Sequence, residues 1–333
     1  MSDTALVIVV AIALAFDFTN GFHDTANAVA TSVSTRALSP RVAVLVAAVM
    51  NFLGAFTSTK VAKTVGGGLI NTQAGFVTAH VLLAALLGAI IWNLLTWRLG
   101  LPSSSTHALI GGLLGAALVH GGSNPVDWGN LWHKTVFPGL ASPVIGFLLA
   151  GLVMVAILWA FRRLRPAPLN RGFRILQIAS GSFLAFAHGT NDAQKTMGVI
   201  ALALYAGGHS SSPSDIPTWV IASAAASMAL GTYIGGWRIM RTMGTRIFKL
   251  RPPQGFAAQA TASSVLYTVA TRYGFPVSTT QVISGSVMGA GATTKMSAVR
   301  WGVAADIVGA WVLTIPAAAL TSAALYALLS AIF

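Results

Sequence analysis

Phe18-Thr19-Asn20-Gly21-Phe22-His23-Asp24-Thr25-Ala26-Asn27 returns, imperfectly, as Phe186-Ala187-His188-Gly189-Thr190-Asn191-Asp192-Ala193-Gln194-Lys195. Setting Gly21 on Gly189 gives an offset of 168 residues and places Phe18 on Phe186 and Asp24 on Asp192. Each copy puts a carboxylate among amides and a glycine, inside otherwise apolar sequence. An ionisable side chain in hydrocarbon is costly, so its presence points to function. A second pair follows: Gly100-Leu101-Pro102-Ser103-Ser104-Ser105-Thr106-His107 resembles Gly274-Phe275-Pro276-Val277-Ser278-Thr279-Thr280-Gln281, at an offset of 174. Two motifs in one order at nearly one offset mark a duplicated chain.

Composition sets the class. The 333 residues are 55% hydrophobic and 8% charged, with a mean hydropathy of +0.74; a soluble domain carries about 25% charged residues. The expected fold is an all-α polytopic membrane protein. Ala5–Phe16 has no basic residue ahead of it and reads as the first membrane helix rather than a leader. The net charge of +13 does not call for nucleic acid, because most basic residues sit in short loops between apolar runs. All seven acidic residues are Asp, and Asp17, Asp24, Asp192 and Asp306 stand in apolar context. The lack of cysteine excludes disulfides and thiolate metal sites.

Apolar runs near the length that crosses about 30 Å of hydrocarbon cover 5–33, 41–58, 78–97, 102–118, 139–161, 175–206, 218–236, 256–272, 276–292 and 302–328. They predict about 10–12 membrane segments. The runs 5–33 and 175–206 are too long for one simple helix, and their polar centres predict breaks at Asn20-Gly21 and Gly189-Thr190. The runs 102–118 and 276–292 either span or re-enter. Five crossings separate the two copies of the Asp motif, so the halves should be inverted relative to each other. The expected divisions are a first repeat over 1–138, a linking helix and basic cytoplasmic loop over 139–174, a second repeat over 175–300 and a last helix over 301–333. Arg162, Arg163, Arg165, Arg171 and Arg174 in one break, and Arg238, Arg241, Arg246, Lys249 and Arg251 in another, belong on the cytoplasmic side. Counting back places the N-terminus outside, with Lys60 and Lys63 opposing that scheme.

Pro102 and Pro276 suit the first turn of a helix, where a missing N–H costs nothing. The residues that follow would present free N–H groups, the positive end of a helix dipole and several hydroxyls. Two such ends facing each other make a receptacle for an oxyanion. Ser103, Ser104, Ser105 and Thr106 would line one side, and Ser278, Thr279, Thr280 and Gln281 the other. The plainer reading is that these hydroxyls only cap their helices, and the matched pair of clusters favours the site. A carboxylate beside an anion needs a positive charge between them. Asp24 with Asn20 and Asn27, and Asp192 with Asn191, would coordinate Na⁺ through oxygens or take a proton. Lys195 either pairs with Asp192 at i, i+3 or touches the anion. His23 and His188 are candidate proton carriers as well as ordinary hydrogen-bonding residues. Asn51, Gln177, Gln259 and Asp306 are further polar residues in apolar runs, and Gly111, Gly112, Gly115, Gly285 and Gly289 suit close helix contacts.

These motifs resemble the duplicated signature of the inorganic phosphate transporter (PiT) family, over nearly the whole chain. The resemblance implies an inverted-repeat symporter that imports phosphate with a cation, works as a homodimer in the bilayer of a bacterial cytoplasmic membrane, and carries no resident cofactor. By the same resemblance the binding residues are Asp24, Asn27, Ser104 to Thr106, Asp192 and Ser278 to Thr280. Sodium-coupled animal members carry an acidic residue where this chain has Asn51 and, in its other half, Met228; Lys195 replaces the second motif's Asn. These departures point to H⁺ as the coupling ion, in a low-affinity bacterial symporter whose cargo is phosphate or metal-phosphate. The alternatives are a Na⁺-coupled phosphate symporter, with Asp24, Asn27 and Asp192 holding the ion, and a sulfate permease. An anion channel fits poorly, since a passive anion pore has no use for intramembrane carboxylates. A membrane metalloenzyme built on His23, Asp24, His188 and Asp192 lacks ligand pairs repeating within one segment, and no enzyme is expected.

Overall fold

Apolar runs without interior charge fold as helices because, in hydrocarbon, each backbone N–H must find its acceptor within its own segment. The computed structural model describes residues 1–71, 75–248 and 250–332; Lys249 and Phe333, assigned above to a basic loop and to the last helix, lie outside them. The elements are α1 (Asp3–Ser34), α2 (Pro40–Gly54), α3 (Lys60–Gly67), α4 (Ala79–Leu99), α5 (Ser105–Gly121), α6 (Trp128–Leu131), α7 (Phe137–Ala160), α8 (Pro166–Ala206), α9 (Thr218–Ile234), α10 (Trp237–Arg241), α11 (Pro252–Thr268), α12 (Thr279–Ala292) and α13 (Trp301–Ile332). A π turn at Trp132–Val136 joins α6 to α7. Extended pairing among the described residues is limited to one bridge, Ile70 to Val126.

Among the described residues, four helices are long and apolar enough to cross a membrane: Asp3–Ser34, Ala79–Leu99, Trp128–Ala160 and Trp301–Ile332. A fifth candidate is Thr218–Ile234 with Trp237–Gly244, bent by 60° at Gly235-Gly236, where Gly235 takes a φ of 79°. Helices α5 and α12 have 17 and 14 residues. At about 1.5 Å per residue they reach about 25 and 21 Å, short of the hydrocarbon thickness. The basic loop expected to run to Arg174 ends sooner, because Pro166 starts α8 at its favoured first position and carries Arg171 and Arg174 onto exposed helix.

The breaks expected at Asn20-Gly21 and Gly189-Thr190 do not occur. Helix α1 runs unbroken for 32 residues and α8 for 41. The glycines serve crossings instead. A Cβ on Gly21 would overlap the Met228 carbonyl of α9, and one on Gly189 the backbone of Asn51 in α2. In return, Gly231 of α9 lies against Phe18 and Gly54 of α2 against Phe186. Small residues let backbones approach, and His23, Asp24, Asn27, His188 and Asn191 find partners on neighbouring segments, so neither hydrogen-bond ladder has to open.

Beside a small third cluster at Val81, Ala84 and Ala116, two large apolar cores organise the described residues. One holds Leu6–Phe16 of α1, Leu82–Ala89 of α4, Ala108–Ala117 of α5 and Ala193–Leu204 of α8. The other holds Ala26–Ala30 of α1, Leu184–Ala187 of α8, Ala257–Leu266 of α11 and Val282–Ala290 of α12. Helix α1 therefore passes from the first core to the second, and α8 from the second to the first. Helices α5 and α12 each start between the cores and run into opposite ones, so they are half-length helices meeting near their N-terminal ends. Each is backed by a long helix from elsewhere in the chain: Gly111 and Gly115 of α5 lie against the Ile315 and Ala319 carbonyls of α13, and Gly285 and Gly289 of α12 against the Pro143 and Phe147 carbonyls of α7. The two Asp motifs occupy the seam.

Candidate functional site

The approach to both half-helices is built alike. Gly100 and Gly274 end the preceding segments with φ 68° and ψ 26° at each, a left-handed conformation that glycine adopts without cost. The chain then turns through the prolines, and Ser104 and Ser278 cap α5 and α12 by accepting from His107 N at 3.1 Å and Gln281 N at 3.3 Å. Pro102 and Pro276 thus lie two residues ahead of the caps, not in the first turn as expected, because a serine side chain can close the third N–H and a proline cannot. The first-turn N–H groups of Ser105, Thr106, Thr279 and Thr280 have no intrahelical acceptor, and they converge on the seam.

The two carboxylates stand between these ends. Asp24 accepts from Ser105 Oγ at 2.7 Å on α5 and from Thr280 Oγ1 at 3.4 Å on α12. Asn27 Nδ2 donates to Thr280 Oγ1 at 2.7 Å. Asp192 accepts from Asn191 Nδ2 at 2.7 Å and from Thr279 Oγ1 at 3.5 Å. Asn191 also donates to the Val277 carbonyl at 2.8 Å, which holds α8 to the start of α12. Lys195 Nζ lies 2.8 Å from Asp192 Oδ1 and donates to Thr106 Oγ1, so the ion pair and the link to α5 are both real. Asp24, Asp192 and Lys195 are at most 1% exposed.

Each carboxylate has a histidine. His23 Nδ1 is 2.7 Å from Asp24 Oδ1, and its Nε2 meets Thr96 Oγ1 at 3.1 Å and Ser103 Oγ at 3.3 Å. His188 Nε2 is 3.5 Å from Asp192 Oδ2, and its Nδ1 meets Asn51 Oδ1 at 3.0 Å. Asn51 in turn donates to Thr232 Oγ1 at 2.9 Å. One ligand atom each from Asp24, His188 and Asp192 lies within 4.8 Å of the others. A cation with ligands near 2.4 Å sets opposing ones about 4.8 Å apart, so one small cation fits among the three. With both imidazoles neutral, two carboxylates and one ammonium leave the cluster one negative charge in excess. That excess charge would repel an oxyanion unless a cation accompanied it.

Most of the expected site is therefore in one place. Gln281 turns aside, its Nε2 3.3 Å from His107 Nδ1, on a flank that Leu140, Pro143 and Trp311 also line. Asn20 is buried with both amide atoms unpaired. Gln177 and Gln259 are helix ties, to Thr35 at 2.7 Å and to Ser32 at 2.7 Å. Asp306 is exposed on α13. Thr96 was missed by the sequence reading: a lone threonine in an apolar helix normally bonds its own backbone, and this one also reaches His23 and Ser103.

Known proteins resemble this chain in sequence and in fold. The model of the phosphate transporter family matches residues 20–322. A probable low-affinity inorganic phosphate transporter of Rhizobium meliloti is 50% identical over 322 residues, 96% of this chain and 95% of that one. One of Bacillus subtilis is 45% identical over 98% of both chains. A solved structure, the sodium-dependent phosphate transporter, superimposes with a TM-score of 0.87 at 26% identity, covering 99% of this chain and 100% of that chain.

Proposed function

The chain belongs to the phosphate transporter family, whose members are transporters rather than enzymes, and from that premise we propose that it is an integral membrane symporter importing inorganic phosphate with a cation. The observation that carries the reading is the meeting of two capped half-helix N-termini around Asp24 and Asp192 at the seam between two apolar cores. Helix ends and hydroxyls solvate a tetrahedral oxyanion without holding it as an arginine pair would. Phosphate, unlike sulfate, keeps a proton to donate near neutral pH, and a site rich in acceptor carboxylates favours it.

In the present arrangement Ser105, Thr279 and Thr280 donate to the carboxylates. Those hydroxyls become free for phosphate once a cation neutralises the acids, so cation binds first and the anion second. We take the cation to be a proton. Asn51 and Met228 sit at the Gly189 and Gly21 crossings, and neither supplies the extra carboxylate of sodium-coupled members. The opposed course of α1 and α8 through the two cores supports inverted repeats, one half rocking against the other about the seam. The divisions 1–138, 139–174, 175–300 and 301–333 belong to the same proposal; the outside N-terminus rests on the basic loops, and the cytoplasmic membrane location and the homodimer rest on the family resemblance alone. Phosphate uptake into proteoliposomes, with Na⁺ and pH gradients imposed separately, tests the proposal: uptake following ΔpH alone is expected, and uptake following Na⁺ alone overturns the choice of proton. Equal currents carried by phosphate without any cation gradient would make the protein a channel.

A further inference from the structure

Gln281, expected to face the anion, turns aside, and nothing in the proposed cycle uses it. It is the third residue of α12, as His107 is of α5. The two hold equal places in the repeated motif, 174 residues apart, and they meet: Gln281 Nε2 donates to His107 Nδ1 at 3.3 Å. That bond leaves two groups unused. Gln281 Oε1 is buried without a donor. A neutral imidazole that accepts at one nitrogen carries its proton on the other, and His107 Nε2 has no acceptor among the described residues. Gly139 of α7 leaves that nitrogen uncovered, since a Cβ there would stand 2.9 Å from it.

Both residues line a cavity of about 370 Å³, within the range of ligand pockets, about 300–1,000 Å³. They are its polar floor, only 7% and 4% exposed. The other walls are apolar, with Leu140 and Pro143 from α7 and Trp311, Val312 and Ile315 from α13. The Trp311 indole N–H is already given to the Pro102 carbonyl at 3.1 Å. Leu140 and Val312 are 65% and 69% exposed, so the cavity opens between α7 and α13 on the outer face of the bundle, where a membrane protein meets acyl chains. One free donor beside one free acceptor matches a single hydroxyl, which gives one hydrogen bond and takes another. A charged head would be stranded, because no ionised side chain lines the cavity. A head without polar atoms would leave both groups unpaired. The walls and the opening suit an alkyl chain.

We propose that this cavity binds a single-chain lipid with an uncharged hydroxyl head, a long-chain alcohol or a monoacylglycerol, and that the occupant slows transport. Its O–H donates to Gln281 Oε1 and its oxygen accepts from His107 Nε2. The bound lipid then braces α5, α12, α7 and α13 at one point, and movement of one half against the other has to break that brace. The cavity touches neither Asp24 nor Asp192, so phosphate does not compete with the lipid. The effect on transport rests on the phosphate uptake proposed above; the binding does not.

The test uses the full chain in proteoliposomes with three probes: dodecanol, dodecyl methyl ether, and dodecanol brominated at its far end. The brominated alcohol should quench a saturable part of the tryptophan fluorescence, and that part should be absent in Trp311→Phe. The ether accepts but cannot donate. At equal mole fraction in the membrane it should displace the brominated probe about tenfold less well than dodecanol, the size of one net hydrogen bond. Dodecanol should lower the maximal rate of phosphate uptake and leave KM unchanged. Val312→Trp, which plugs the mouth, should transport at the wild-type rate and resist dodecanol. Equal displacement by alcohol and ether overturns the inference and leaves the two polar groups to a trapped water. Undiminished inhibition of Val312→Trp overturns it as an effect on the bilayer, and inhibition relieved by phosphate overturns it as well. If Val312→Trp does not fold, Gln281→Leu decides: alcohol and ether should then displace equally, and a preserved tenfold preference refutes the site. Near-complete disulfide-linked dimers of Val312→Cys would put a second copy of the chain over the mouth and refute the lipid. Wild type that takes up no phosphate refutes the symport reading, and the fluorescence then decides the lipid site alone.

Discussion

Replacing Lys195 by methionine tests the electrostatics of the seam. Nζ lies 2.8 Å from Asp192 Oδ1, with both side chains at most 1% exposed. At that separation and an effective dielectric constant near 20, the attraction is about 6 kcal/mol. Methionine fills much the same volume, so the loss is electrical rather than a cavity. It leaves Asp192 buried and uncompensated, and breaking one side of a buried pair costs about 3–5 kcal/mol. The assay is unfolding of the purified protein in detergent, followed by tryptophan fluorescence, over a double-mutant cycle with Asp192→Asn. Lys195→Met alone should be destabilised by that amount. The Lys195→Met/Asp192→Asn double variant should recover to within about 1 kcal/mol of wild type, since replacing a buried pair entirely is often neutral. It should stay inactive in phosphate uptake, because the acid is gone. A cycle in which the two single effects simply add would show that the pair carries no coupling and would refute the reasoning.

Other outcomes follow from the same geometry. Asp24→Asn should fold normally by size-exclusion chromatography and take up no phosphate; wild-type uptake would remove Asp24 from the coupling site. Ser105→Ala removes a 2.7 Å bond to Asp24 and a donor to the anion, and should raise the phosphate KM about tenfold for a loss of roughly 1.5 kcal/mol, which initial rates over a phosphate range will read. Gly115→Val and Gly289→Val each drive a Cβ into a facing carbonyl, Ala319 or Phe147, and should cost about 1–3 kcal/mol in thermal unfolding, while Gly302→Ala, with open space around it, should be silent.

The membrane class and most residues of the candidate site were legible in the chain itself. Charge scarcity in apolar runs is a one-dimensional property, and a carboxylate that survives in such a run marks a site wherever the helix packs. The local chemistry of Gly100 and Gly274, and of the serines after them, was readable for the same reason, since turns and caps are decided by near neighbours in sequence. What packing alone decided is different in kind. The glycines of the Asp motifs read as helix breaks and proved to be crossing points, because only the facing backbones of Met228 and Asn51 show what the missing Cβ makes room for. The half-length nature of α5 and α12 follows from which core each enters. Which partners the buried polar side chains find, Thr280 for Asn27 and Asn51 for His188, is a fact about other helices, distant in sequence, that no local pattern encodes.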